Sequence, residues 1–253
     1  MTQGDCTSKS VDLKEQPFSY AELSRFISLL KQTAPVVTFR DAEAKKKCII
    51  LRHDADLNLQ SVCRIALIER SLGVRSTVFV MIGADTYNPF SQKSRKILRF
   101  LAQNKFEIGL HFDPTIYPDA SDEALQEYVA NEATALSGVC GESVQSISLH
   151  NPSITGKYPI FEGYINAYAP DFFSPDRYLS DSLRVYPSVD AWRGKDPYQF
   201  VIDAKKFPLQ VVIHPEHWMP KGGGYLNSIS YHLRDAINSV LGDYQRILDT
   251  VPK

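Results

Sequence analysis

The sequence predicts an α/β fold in a single domain, a distorted (β/α) barrel with mostly parallel strands, incomplete at about seven. Three observations carry that expectation. Short apolar runs alternate with longer stretches at helical spacing, the rhythm of parallel strands joined by right-handed crossovers. The runs are nearly unbroken, as in strands buried on both faces. The 253 residues, 43% hydrophobic and 23% charged, contain no internal repeat and no low-complexity linker, which suits one large α/β domain.

Taken in order, residues 1–16 are polar and expected to form a flexible N-terminus, with 17–253 as the domain. Ser19 or Tyr20 opens a helix, because Leu23, Phe26, Ile27, Leu29 and Leu30 recur at helical spacing to about Lys31. Residues 35–39 read as a short strand, and 41–47 as a charged connector with a solvated lysine run. The first buried strand is 48–51, followed by the polar cluster Arg52-His53-Asp54-Ala55-Asp56. A helix is expected over 57–72, stopped by Gly73. Then come a strand at 77–82, a loop at 83–90 and a basic amphipathic helix at 91–103. The next strand, 106–111, closes on Phe112-Asp113-Pro114. A long helix at 121–136, capped by Ser121, precedes Gly138 and Gly141. A strand at 144–149 ends in His150-Asn151-Pro152. From 153 to about 206 the pattern weakens, and only 164–168 and 177–179 read as strands. The strand 209–213 ends in His214-Pro215-Glu216-His217-Trp218, and a closing helix spans 228–248.

A net charge of −1 gives no electrostatic footprint for nucleic acid or an anionic membrane. The four cysteines (Cys6, Cys48, Cys63 and Cys140) form no CxxC pair; Cys48 in an apolar run and Cys63 in a helical pattern suit buried thiols in a reducing, cytoplasmic setting. The first residues lack a basic stretch followed by an apolar one, so no signal peptide is expected. No run of about 18 apolar residues is present, so no transmembrane segment is expected either.

In α/β folds, side chains at the carboxyl ends of strands build the site. Strand alternation places Asp54 and Asp56 on one side, with His53 and Ala55 on the other. Two carboxylates on one side repel unless a cation or a shared proton lies between them. The same residues also fit a helix cap, since Asp is a good N-cap. The histidines tip the balance. There are six, and five of them (His53, His111, His150, His214 and His217) lie at or just past the ends of apolar strand runs. His232 lies in a helix and reads as a surface or packing residue. A set collected at strand ends, with Asp54, Asp56 and Asp113 beside it, argues for a metal site at a barrel mouth over several unrelated histidines. No HxxxH or HExxH pair is present; Thr115 stands four residues after His111.

Across roughly residues 48–218, the order of Asp54-Ala55-Asp56, Glu107-Ile108-Gly109-Leu110-His111, His150-Asn151-Pro152-Ser153 and Val212-Ile213-His214-Pro215 resembles the polysaccharide deacetylase family, the NodB-like carbohydrate esterases. More narrowly, it resembles deacetylase-like proteins of bacterial lipopolysaccharide O-antigen biosynthesis. The resemblance implies a metal-dependent hydrolase removing an N-acyl group from a sugar. Asp54 would be the general base, Asp56 and His111 metal ligands, and His214 the general acid. The family's second histidine is absent here, so His150 or Asp113 would complete the coordination. The His150 motif stands where the family usually has an arginine and prolines. His217 and His53 are further candidates for a ligand or supporting role. Asp181-Ser182 and Trp192 loosely match the stretch that orients the acid and lines the groove. Asn151, Trp192 and Trp218 are candidate substrate contacts, the indoles offering flat faces to sugar rings. One carboxylate and two imidazoles suit Zn²⁺ best, with Co²⁺, Ni²⁺ or Mn²⁺ as substitutes. The partner would be an acylated sugar, a sugar nucleotide or a lipid-linked glycan. Two other readings stay open: a non-catalytic relative that binds a glycan or partner, and an amidohydrolase acting on a small non-glycan amide.

Overall fold

The computed structural model describes residues 17–42, 44–182 and 191–250. The expected flexible N-terminus, 1–16, lies outside the described residues. The chain opens with α1 (Tyr20–Thr33), β1 (Val36–Val37) and the single turn α2 (Phe39–Ala42). Then come β2 (Ile49–Ala55), α3 (Leu59–Ser71), β3 (Thr77–Val80), α4 (Gln92–Gln103), β4 (Glu107–Phe112), α5 (Asp122–Cys140) and β5 (Ser146–Leu149). The short α6 (Pro152–Thr155) and β6 (Ile165–Asn166) follow, then β7 (Tyr178–Ser180), α7 (Pro197–Ile202), β8 (Leu209–Ile213) and α8 (Tyr225–Thr250). The strands form one sheet in the order β6-β5-β4-β3-β2-β8-β7, with β1 beside the start of β2. Every pairing is parallel.

The sheet curls almost to closure. Gln210 of β8 donates its amide to Ala167 O (2.9 Å), one residue past β6 at the far edge. The rings of Tyr168 and Tyr178 meet there at 6.4 Å. The result is the incomplete parallel barrel that the alternating pattern predicts.

Alternation along each strand sorts the side chains. Leu51 and Ala55 of β2, Val78 and Val80 of β3, Ile108, Leu110 and Phe112 of β4, and Val211 and Ile213 of β8 lie in the cores beneath the helices. The inward positions are mostly polar and still buried: Arg52, Asp54, Thr77, Glu107, His111, Ser146, Ser148 and Gln210. Buried polar groups must pair. Glu107 accordingly accepts from Thr77 Oγ1 (2.8 Å), from Arg40 N (2.9 Å) and from Ser146 Oγ. Gly109 sits inward opposite Phe79; a Cβ there would lie 2.5 Å from two atoms of that ring. The Glu-Ile-Gly strand is therefore one whose middle inward position must be empty.

Several boundaries differ from the sequence expectation. The first buried strand does not stop at Leu51; β2 continues through Arg52, His53 and Asp54 to Ala55, all buried. Its charged residues are tolerated because they are paired: Arg52 with Asp54 and Gln210, His53 with Glu69. The cap of α3 is Asn58, which accepts from Ser61 N (2.7 Å), so Asp54 has no capping role. Helix α5 runs through Gly138 and ends at Gly141, whose φ of +86° suits a glycine C-cap. β1 keeps only two residues of 35–39, β6 two of 164–168, and α8 begins three residues before Ser228. His232 is a packing residue: it is buried, with Nε2 2.7 Å from Trp218 O. Among the described residues, no helix is long and apolar enough to cross a membrane.

Candidate metal centre and active-site cleft

Three parallel strands deliver the central cluster. β2 leads into Asp56, β4 carries His111, and His150 follows β5 directly. Asp56 Oδ1 lies 3.2 Å from His111 Nε2 and 3.6 Å from His150 Nδ1, and the two imidazole nitrogens are 3.3 Å apart. Bonds of 2.0–2.2 Å in a tetrahedral site separate neighbouring ligand atoms by about 3.3–3.6 Å. The three atoms therefore have the spacing a divalent cation requires. Asp56 Oδ1 is also buried without a well-directed hydrogen bond. The residues fit a metal. Burial works to raise the Asp56 carboxyl, but His111 and His150 outweigh it and hold it well below the usual carboxylate range. His150 moves the opposite way. Burial disfavours its charged form, yet Asp56 raises its pKa.

Asn151 turns its amide onto His150 Nε2 (2.8 Å) and so fixes the ring. It does so from a left-handed backbone, φ 44° and ψ 42°. Asp113 is not part of the cluster. Its carboxylate accepts from Thr115 N (2.9 Å) and Thr115 Oγ1 (2.7 Å), capping the turn Pro114–Ile116. Geometry thus brings His150, not Asp113, to Asp56 and His111.

Asp54 stands beside this cluster, its Oδ2 3.9 Å from His111 Nε2. The same oxygen accepts from Arg52 Nη2 at 2.8 Å, while Oδ1 is buried and unpartnered. Arg52 is fully buried inside the barrel. Its Nη1 donates to Gln210 (2.7 Å), its Nη2 also to Tyr168 Oη (3.1 Å), and its guanidinium lies over the rings of Tyr168 and Phe79. Sequence reasoning missed Arg52, although alternation puts it on the same side as Asp54.

Across the mouth, Asp181 accepts from His214 Nδ1 (2.6 Å), from His214 N (3.1 Å) and from Trp218 Nε1 (2.8 Å). His217 Nδ1 is 3.5 Å from the same carboxylate, and its ring stacks on His214 at 5.0 Å. Asp181, His214 and His217 converge closely enough to hold a cation. Asp181 is however already saturated by N–H donors, so this group reads as an orienting anion for two imidazoles. Burial disfavours the His214 cation, but Asp181 raises its pKa well above the ordinary value. Asp181 is lowered: burial opposes ionisation, and His217 and His214 outweigh it.

Three expected positions need correction. Trp218 is 0% exposed, its indole spent on Asp181, and offers no face to a sugar. Trp192 lines the cleft but is only 7% exposed, with its ring packed edge-on against Phe26 and Trp218. His53 points outward beneath the sheet, 2.6 Å from Glu69 Oε1, where burial lowers its pKa and Glu69 more than restores it. Glu216 was not anticipated. It is buried near enough to Asp56 that burial first, and then the Asp56 charge, push its carboxyl well up.

One cleft of about 630 Å³ opens at this centre, a size suited to a small ligand. Asp54, Asp56, His111, His150, Asn151 and His214 line one part of it. Tyr158, Tyr168, Phe173 and Tyr178 form a mutually packed aromatic wall, and Arg193 and Lys195 complete the lining.

No family model and no curated protein matches the sequence. Among solved structures, a family 4 acetyl xylan esterase from Clostridium thermocellum, in complex with a cobalt ion, aligns at TM-score 0.41 and 12% identity, over 66% of this chain and 73% of that one. A peptidoglycan deacetylase from Bacillus subtilis aligns at TM-score 0.44 and 12% identity, over 70% and 78%. A CE4 family pseudoenzyme from Bacillus anthracis aligns at TM-score 0.42 and 13% identity, over 68% of this chain and 55% of that one. Likeness at this level says nothing about activity.

Proposed function

We propose that this chain is a metal-dependent hydrolase that removes an N-acyl group, acetyl first, from a sugar. The observation that carries the reading is the convergence of Asp56, His111 and His150 on one point of the cleft, with Asp54 and His214 beside it. Asp56, His111 and His150 would hold the cation, with Zn²⁺ the first choice for that donor set. When bound, it supplies Lewis acidity to the acyl oxygen and to water. Asp54 takes the proton from the attacking water through Oδ1, while Arg52 anchors Oδ2. His214 is held by Asp181 with Nδ1 turned inward, leaving Nε2 to protonate the departing amine. The wall of Tyr158, Tyr168 and Phe173 offers apolar faces to a sugar ring.

The substrate setting, surface polysaccharide or O-antigen biosynthesis, is supported by the motif order alone. A cytoplasmic location belongs to the same proposal; Cys48, Cys63 and Cys140 are free thiols.

Acetate release from N-acetylated sugars by the Zn²⁺-loaded protein tests the reading. Asp54→Asn is expected to lower turnover by about 10²–10⁴-fold, the contribution of a positioned base, with metal content unchanged. Retained turnover in that variant removes Asp54 as the base. A purified protein that takes up no divalent metal defeats the hydrolase assignment.

A further inference from the structure

The part of the cleft formed by Arg193 and Lys195 carries two cations that, among the described residues, form no ion pair; Asp176 acts on Lys195 only from outside this cleft. Lys195 Nζ is held by Pro175 O and Tyr178 O, both at 3.0 Å, and lies 4.4 Å from the Phe200 ring centre. Those carbonyls fix the ammonium beside β7 without cancelling its charge. The guanidinium of Arg193 has no hydrogen-bond or ion-pair partner among the described residues, and its side chain is exposed to the cleft. The two cations feel each other. Burial lowers the Lys195 pKa first, and the charge of Arg193 lowers it further.

The nearby acids are turned elsewhere. Asp196 caps α7, accepting from Tyr198 N (2.9 Å) and Gln199 N (3.0 Å). Asp176 pairs with Lys206 at 2.5 Å and accepts from Ser174 Oγ, and it does not line this cleft. The acids that do line it, Asp54 and Asp56, face Arg52 and the two imidazoles.

The backbone holds this arrangement at a cost. Trp192 and Arg193 both adopt left-handed conformations, φ 57° and 53°, a region that residues with a Cβ rarely take. Trp192 is anchored in the core against Phe26, and Arg193 N donates to Ser182 O at 3.3 Å. A strained turn that presents to a cleft an arginine unpaired among the described residues, beside a second cation, is placed to meet an anion.

We propose that Arg193 and Lys195 bind an anionic substituent of the acylated sugar, so that the preferred substrate is a phosphorylated or carboxylated N-acyl sugar and not a neutral one. This deepens the deacetylase reading, on which it rests for the reaction.

The test uses the full chain loaded with Zn²⁺ and four probes: N-acetylglucosamine, its 1-phosphate, its uridine diphosphate ester and an N-acetylated uronic acid. Binding is followed by calorimetry and acetate release separately, in wild type and in Arg193→Gln. The anionic sugars are expected to bind about tenfold or more tighter than the neutral one, with the gap shrinking at high salt. In Arg193→Gln the preference ratio falls by about tenfold, and Arg193→Lys recovers part of it. Phosphate esters and the uronic acid compared at equal charge identify which anion is read. Binding of neutral and anionic sugars within twofold of each other, or a ratio untouched by Arg193→Gln, overturns the proposal. Arg193-dependent binding of a phosphorylated sugar without acetate release would instead uphold the anion site and defeat the deacetylase reading.

Discussion

At the scale of single residues, the feature with most consequence is the buried pair of Arg52 and Asp54. Removing one partner of a buried pair strands the other charge and typically costs about 3–5 kcal/mol. Arg52→Gln is therefore expected to lose stability of that order in urea unfolding. Adding Asp54→Asn should recover part of it, because the stranded carboxylate is gone. Strict additivity in that double-mutant cycle would show that the two side chains do not act as a pair. The arginine was readable in principle, two positions before Asp54 in a run that alternates. What hid it is that it sits in a buried strand, where charge is unexpected unless the partner is known, and one partner, Gln210, is 158 residues away. Trp218 shows the reverse error. An indole after a strand looks available to a ligand, but its N–H is needed by a carboxylate that no local pattern ties to it.

At the scale of elements, β4 and β8 set the site. Gly109 leaves room for Phe79 on the neighbouring strand β3, so Gly109→Ala forces a 2.5 Å contact. Overpacking of this kind costs about 1–3 kcal/mol. The loss should shrink when Phe79 is cut back to Leu, as read by denaturation midpoints; an undiminished loss would point to some other constraint on the glycine. β8 delivers His214 to Asp181, which keeps the imidazolium favoured well above its ordinary range. As general acid, His214 must be protonated, so kcat/KM should hold at lower pH and fall as pH rises through that elevated pKa. In Asp181→Asn burial dominates, the His214 pKa drops, and the alkaline limb of the pH profile should move to lower pH. A limb that stays in place would remove His214 as the titrating acid. The helices α1, α3, α4 and α5 and the strand β8 were legible because local periodicity and caps such as Ser19 (α1), Ser91 (α4) and Ser121 (α5) act within a few residues. The short α6 and α7 were not, since helices of four and six residues carry too little period to read.

At the scale of the whole molecule, the near-closed sheet converts positions far apart in the chain into one constellation. Asp56, His111 and His150 meet only because β2, β3, β4 and β5 pair side by side in parallel register. A ligand that binds the folded but not the unfolded chain raises stability by mass action, about 2.7 kcal/mol at 100 times its Kd. Zn²⁺ should therefore raise the Tm of the wild type, and His111→Ala should abolish the rise; an equal rise in both would place the metal elsewhere. The sequence by itself determined the strand–helix alternation, the parallel incomplete barrel and the collection of carboxylates and histidines at strand ends, because period and polarity are local properties of the chain. Only the tertiary structure decided which of them meet. It set His150 and not Asp113 beside Asp56, gave the outward His53 its partner Glu69, spent Trp218 on Asp181 and paired Arg52 with Asp54. Those choices depend on curl, register and the need of each buried polar atom for a partner, and such partners lie on other strands.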